Sequence, residues 1–71
     1  MRDYLVVYEH GRNSWGAAVP DLPGCFAVGS TREEAEQLIR AAIQSHIEAL
    51  RELGEPVPEL QHEAGRVSVV A

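Results

Sequence analysis

Runs of apolar residues divide the chain into four strand-like segments and one long helical stripe. Tyr4–Glu9 is β-branched and aromatic, and predicts strand 1. Its apolar side chains fall on both faces, which is typical of a strand that is central in its sheet. Ser14–Val19 predicts strand 2, Cys25–Val28 predicts strand 3 and the alternating segment 66–71 predicts strand 4.

The two faces of strand 2 differ in side-chain size. Trp15, Ala17 and Val19 share one face, while Gly16 and Ala18 share the other. The small residues favour close packing of another element on their side, most simply a helix. The sequence alone leaves open which face meets the helix.

A helix is predicted from Arg32 to Leu53. It begins with a capping box, because Thr31 can accept a hydrogen bond from the Glu34 N–H and the Glu34 carboxylate can reach back to Thr31. Gly54 is suited to ending the helix. Apolar residues follow at helical spacing: Ala35, Leu38, Ile39, Ala42, Ile43, Ile47 and Leu50.

The element order β-β-β-α-β predicts an α+β fold with sheet order 3-2-1-4 and one long helix on one face of the sheet. One helix covers one face, so the other face keeps apolar side chains from strands 1 and 4 with no element to cover them. An exposed apolar patch of this kind usually marks an interface. This uncovered sheet face is the strongest indication of a binding function in the sequence.

A proline-bracketed corner, Val19–Cys25, joins strands 2 and 3. Each proline fixes φ and removes a backbone donor, Gly24 can adopt positive φ, and Asp21 can accept hydrogen bonds from nearby backbone N–H groups. The corner is either purely structural or an exposed rim that a partner grips. We assign the structural turn to Pro20, Pro23, Gly24 and Cys25.

We expect a single domain over residues 1–71, near the lower size limit for independent folding. Small domains often gain stability from disulfides, metals or association. One cysteine cannot form an intrachain disulfide and three separated histidines do not suggest a metal site, so association remains and a homo-oligomer, dimer or tetramer, is expected.

The net charge of −5 and the absence of a basic stripe disfavour direct nucleic-acid binding. The acidity suits a basic protein partner, or it serves solubility alone.

No constellation of residues indicates catalysis. Cys25 could act as a nucleophile with His10 or His46 as a base, but nothing in their spacing brings them together. We therefore expect no enzyme activity, no catalytic residues, no metal and no cofactor.

The absence of an apolar leader or span and the free cysteine favour a cytoplasmic protein that does not contact a membrane.

Four residues are candidates for a partner interface. Tyr8 and Trp15 could anchor an interface, since buried aromatic residues dominate hot spots, or they could fill the core. Asp21 and Leu22 lie in the corner and would contact a partner if that loop is an exposed rim.

Three motifs together form a specific combination. They are Val19-Pro20-Asp21-Leu22-Pro23-Gly24-Cys25 after Trp15-Gly16-Ala17, then Gly29-Ser30-Thr31-x-x-Glu34-Ala35, then Leu53-Gly54-Glu55-Pro56-Val57-Pro58. With the Tyr/Val-rich first strand, this combination resembles the HicB-like antitoxin family of bacteria and archaea, over roughly Tyr4 to Val70.

The resemblance implies a partial RNase H-like fold without the catalytic carboxylates of RNase H. It also implies a HicA-type toxin partner, a small mRNA-cleaving protein that the antitoxin sequesters. Many family members carry a C-terminal DNA-binding domain; none is expected here, because the sequence stops at Ala71. The alternative is an orphan homo-oligomeric regulatory or adaptor domain without a toxin.

Overall fold

The computed structural model describes residues 2–71 and has a three-stranded antiparallel sheet followed by one long helix. The strands are β1 (Val7–His10), β2 (Trp15–Ala18) and β3 (Phe26–Gly29), and the helix is α1 (Arg32–Glu52). The predicted α+β class, the first three strands and the helix are confirmed. Met1, which belongs to the predicted domain 1–71, lies outside the described residues.

The sheet has the order β1-β2-β3, with β2 in the centre. At one end of the sheet, Val7 pairs with Ala18, and Ala18 also faces Phe26 on β3. At the other end, His10 pairs with Trp15, which also faces Gly29. The corner therefore lies at the Val7 end, and the helix begins at the Gly29 end.

The predicted fourth strand is not formed. Within residues 2–71 the sheet holds three strands, and the segment 66–71 is exposed along its whole length. As a result β1 is an edge strand, not the central strand that its composition predicts, and sheet order 3-2-1-4 is not seen. A strand forms only where a second backbone lies beside it to share hydrogen bonds. The alternating pattern of 66–71 shows that the segment could form a strand, but it does not determine whether such a backbone lies beside it.

Strand 1 is also shorter at its start than predicted. The run Tyr4–Val6 lies before β1, because β2 ends at Ala18 and the chain then turns away into the corner. The side chains of Tyr4, Val6 and Tyr8 nevertheless pack against the core, as strand alternation predicts.

The helix covers the Trp15, Ala17 and Val19 face of the sheet, so the idea that the small Gly16 and Ala18 side receives it is wrong. The core contains Ala17, Val19, Leu22, Cys25, Ala35 and Ile39, all 5% exposed or less. The close approach of helix and sheet occurs at Gly29 instead, where an added Cβ atom would lie 2.7 Å from the backbone nitrogen of Ala35.

The start of α1 is capped as the sequence predicts, with one difference. The Thr31 hydroxyl accepts from the Glu34 N–H at 3.0 Å. The Glu34 carboxylate accepts from the Ser30 N–H at 2.9 Å, not from Thr31. The carboxylate thus ties the loop before the helix to its first turn.

The end of α1 is a Schellman motif. Gly54 has φ = 72°, its N–H bonds to the Arg51 carbonyl, and the Glu55 N–H bonds to the Leu50 carbonyl at 2.9 Å.

The 21-residue helix is about 32 Å long, whereas four-residue strands span about 14 Å. Its C-terminal turns therefore extend past the sheet, and Leu53 is exposed. Across residues 2–71, no helix has the length and apolar character needed to cross a bilayer.

Candidate functional site

The face of the sheet opposite α1 has no element packed over it. We call this surface the open sheet face and define it by Val7, Glu9, Gly16, Ala18, Phe26 and Val28, whose side chains alternate with those in the core. Phe26 is 69% exposed, Val28 is 61% exposed and Val7 is 51% exposed. These three large apolar side chains lie together on one side of a small domain.

The open sheet face is shallow in the middle and raised at its sides. Its first row is Val7, Ala18 and Phe26, and its second row is Glu9, Gly16 and Val28. Gly16 and Ala18 lie on the central strand, so large side chains flank small ones. An added Cβ on Gly16 would meet nothing closer than the Glu9 carbonyl oxygen at 3.8 Å, which leaves room for a partner to approach the backbone.

The open sheet face carries one acidic side chain and belongs to an acidic domain. Glu9 lies on the face itself, and the chain carries a net charge of −5. Further exposed acidic residues lie on α1, on the other side of the sheet: Glu33, Glu34, Glu36, Glu48 and Glu52. An apolar patch on an acidic domain is complementary to a partner whose own apolar patch is surrounded by basic residues.

The corner next to this face consists of two successive turns. The Leu22 N–H bonds to the Val19 carbonyl at 3.0 Å, and the Cys25 N–H bonds to the Leu22 carbonyl at 3.0 Å. A proline occupies the second position of each turn. In the second turn Gly24 follows with φ = 83°, the backbone geometry that favours glycine. The Val19 N–H closes the corner by bonding to the Cys25 carbonyl at 3.1 Å.

Asp21 joins the corner to the segment that follows the helix. Its buried carboxylate accepts from the backbone N–H of Gln61 at 3.0 Å and of His62 at 3.4 Å. The His62 Nδ1 atom also contacts Asp21 Oδ1, and it must donate because a carboxylate only accepts. The hydrogen bond from the His62 ring is the main cause that lowers the pKa of Asp21. We call these three contacts the Asp21 latch.

The four predicted interface residues lie outside the open sheet face. Leu22 is fully buried and presents no surface to a partner, and the Asp21 carboxylate is engaged in the latch. Tyr8 and Trp15 are half-buried and pack against the core. The role of all four residues in binding a partner stays a prediction.

Each of the two aromatic residues has a neighbour that holds its ring. The Arg32 guanidinium lies 4.2 Å from the centre of the Tyr8 ring, a cation–π contact. The His10 ring stacks on Trp15 with 4.2 Å between centroids and 8° between planes. Both contacts are on the helix side of the sheet, so they stabilise the covered face.

Sequence reasoning missed the contribution of β3 to the uncovered face. It expected apolar side chains from strands 1 and 4, and Val7 of β1 lies there, but Phe26 and Val28 were not selected. The signal was present in the sequence, because Phe26 and Val28 alternate with the small Ala27. In a strand that alternation places the two large residues on one face and Ala27 on the core side.

Cys25 and His10 are one pair that the sequence offered as a nucleophile and its base. Cys25 adjoins the corner and His10 lies at the opposite end of the sheet, so the two are not brought together. Burial raises the pKa of the Cys25 thiol, which disfavours the reactive thiolate. In the part of the chain that the structure describes, no three His, Cys, Asp or Glu side chains are grouped to hold a metal ion.

Comparisons with known proteins identify several relatives of this chain. The chain is 48% identical to UPF0150 protein Ta0767 of Thermoplasma acidophilum over 58 residues, 82% of this chain and 84% of that protein. It is 38% identical over 56 residues to an uncharacterized 14.9 kDa protein of Haemophilus phage HP1, covering 79% of this chain and 42% of the phage protein.

A third relative has a functional name. Antitoxin HicB 2 of Photorhabdus laumondii is 34% identical over 65 residues, which cover 86% of this chain and 45% of that antitoxin. The chain thus spans less than half the length of this antitoxin and of the phage protein. No solved structure matches the chain at a significant level.

The family model described as HicB_like antitoxin of bacterial toxin-antitoxin system matches residues 4–67. That range includes all three strands, the corner, the helix and the Asp21 latch. The chain belongs to the HicB-like antitoxin family.

Proposed function

We propose that this chain is a non-catalytic antitoxin module that binds and sequesters a small basic, mRNA-cleaving toxin of the HicA type through its open sheet face. The observation that carries the proposal is the cluster of Val7, Phe26 and Val28 on an uncovered sheet face. Membership of an antitoxin family supports it, as does the relative named Antitoxin HicB 2.

The proposed binding has an apolar and an electrostatic component. Burying the exposed parts of Phe26 and Val28 supplies a favourable free energy in proportion to the apolar area removed from water. The negative charge of the chain raises the rate of encounter with a basic toxin. A toxin held in this way has its RNA-binding surface covered, so the antitoxin needs no chemistry of its own.

Co-expression with any small basic protein that is encoded beside this chain tests the proposal. We expect a co-purifying complex and rescue of growth from the toxin. The variant Phe26→Ser/Val28→Ser should lose both, because it removes apolar surface from the open sheet face. Leu38→Ser is the matched control, since Leu38 is an exposed apolar residue on α1 and its loss should leave the complex intact.

A second experiment uses the space over Gly16. The variant Gly16→Glu places a long charged side chain in the shallow centre of the face, where the neighbouring atoms leave room for it. It should block toxin binding while the domain stays folded. Normal binding by both Gly16→Glu and Phe26→Ser/Val28→Ser would refute the open sheet face as the interface.

The finer aspects of fold and location belong to the same proposal. We propose that a fourth strand beside β1 completes the order 3-2-1-4 of a partial RNase H-like fold, which the unpaired edge of β1 supports. We propose further that the protein acts in the cytoplasm and does not contact nucleic acid directly, which the acidic charge supports.

A homo-oligomeric regulatory or adaptor domain without a toxin is the second candidate. The core contains six residues, and a domain this small gains much from association. In that case a second copy would cover apolar surface that the monomer exposes. Light scattering that finds a monomer at micromolar concentration would count against this candidate.

A further inference from the structure

Two segments with strand composition lack a strand partner within residues 2–71. Tyr4–Val6 continues β1 beyond the end of β2, and Arg66–Val70 alternates apolar and polar residues without joining the sheet. Both segments therefore have backbone groups that a ladder of hydrogen bonds could satisfy. The first of them lies on the same strand as the unpaired edge of β1.

A groove of about 620 Å³ runs between this edge and the helix. Its apolar lining comes from both sides: Tyr4, Val6 and Tyr8 on the strand, and Ile39, Ile43 and Ile47 on the helix. The buried hydroxyl of Tyr4 has no hydrogen-bond partner within the described residues. A strand placed along β1 would fill this groove with alternate side chains and bring backbone carbonyls that can accept from that hydroxyl.

The segment 66–71 leaves its own domain instead of filling the groove. The Asp21 latch fixes Gln61 and His62 at the corner, and beyond them Val67 is 88% exposed and Val70 is fully exposed. The radius of gyration is 13.9 Å, against about 11 Å for a compact chain of this length. The residues after His62 span up to about 30 Å when extended, enough to reach another molecule.

We propose that two copies of this chain exchange their C-terminal segments, with Arg66–Ala71 of each copy adding a strand to the β1 edge of the other. Each copy offers the unpaired β1 edge, which is the one beside the groove, and one unpaired C-terminal segment, so a reciprocal exchange closes as a symmetric dimer. Val67 and Val69 share one face of that strand and would enter the groove or cover the neighbouring surface together. The proposal rests on the proposed sheet order 3-2-1-4 and does not depend on the toxin.

Substitutions that remove backbone N–H groups from residues 66–71 test the proposed strand pairing. Proline has no N–H and is excluded from the interior of a sheet ladder. In Val69→Pro/Val70→Pro one of the two prolines falls on an N–H that faces the β1 edge, because these groups alternate along a strand. The matched control Val69→Thr/Val70→Thr keeps both N–H groups and β-branched side chains. Val69 and Val70 do not belong to the core, so neither variant changes a core residue.

The measurement combines light scattering with hydrogen exchange. For the full chain and the threonine control we expect twice the 7.8 kDa mass of one chain, with the amides of residues 67–70 protected in the dimer. For the proline variant we expect a folded monomer with those amides unprotected. Circular dichroism checks that all three proteins keep the α1 signal.

Three results would overturn strand exchange. A full-length chain that is monomeric with unprotected amides at 67–70 has no fourth strand. A monomer with protected amides has the strand on its own β1 edge, so the sheet order would hold and the exchange would not. A dimer that survives the proline substitutions uses another surface, such as the open sheet face.

Discussion

At the scale of single residues, Gly29 and Gly16 show how the two faces of the sheet differ. Gly29 faces the helix, where an added methyl group would lie 2.7 Å from the Ala35 nitrogen. Gly16 faces the open side, with 3.8 Å to the nearest atom. We predict that Gly29→Ala lowers the free energy of unfolding by about 1–3 kcal/mol, the usual cost of overpacking.

Urea denaturation checks this prediction, with Gly16→Ala as the control. The control adds the same methyl group to a neighbouring strand of the same sheet, and its midpoint should stay close to that of the parent. Equal midpoints for Gly29→Ala and the parent would mean that helix and sheet are not in the close contact described at Gly29.

The Asp21 latch predicts a pH effect. Hydrogen bonds from His62 and Gln61 lower the pKa of Asp21 in the folded state, so the latch contributes stability above the ordinary carboxyl pKa of about 4. That contribution disappears as the pH falls through the lowered folded-state value. Between pH 7 and 5 the latch should be intact, and in acid the amides of Gln61 and His62 should exchange faster.

Asp21→Asn should produce the same loss at neutral pH, because its side chain has a single oxygen to accept with. Hydrogen exchange of residues 61 and 62 measures the effect. Glu59→Gln, which removes one charge from the same exposed segment, should leave the exchange unchanged. If both variants exchange like the parent, the carboxylate does not hold the segment.

At the scale of elements, the helix was the most predictable part. Its capping residues, apolar stripe and terminal Gly54 are local signals, and the predicted range 32–53 agrees with the observed Arg32–Glu52. Strand pairing is not local. The alternation of 66–71 does not determine whether this segment pairs with another backbone. The composition of strand 2 does not determine which of its faces receives the helix.

The helix cap gives a prediction at this scale. Thr31→Ala removes the acceptor for the Glu34 N–H and should lower stability by about 1 kcal/mol. Ser30→Ala is the control, because Ser30 contributes its backbone N–H to Glu34 and alanine keeps that group. Thermal unfolding followed by circular dichroism would detect the difference. An equal effect of both substitutions would contradict the assigned cap.

At the scale of the whole molecule, the chain combines a small core with much exposed apolar surface. The sequence correctly indicated a sheet face left uncovered, because one helix cannot cover two faces. It did not identify Phe26 and Val28 as part of that face, and it did not predict that the corner residue Leu22 is fully buried. Short strands and loops become core or surface through tertiary packing, which a composition pattern does not specify.

The affinity of the purified chain for a small basic toxin of the HicA type tests the central claim most directly. It should be compared with the affinities of Phe26→Ser/Val28→Ser and the Leu38→Ser control. Since loss of a hot-spot residue costs about 2 kcal/mol or more, we predict at least about 30-fold weaker binding for the double variant and unchanged binding for the control. Equal affinity of all three proteins would contradict the open sheet face as the binding site.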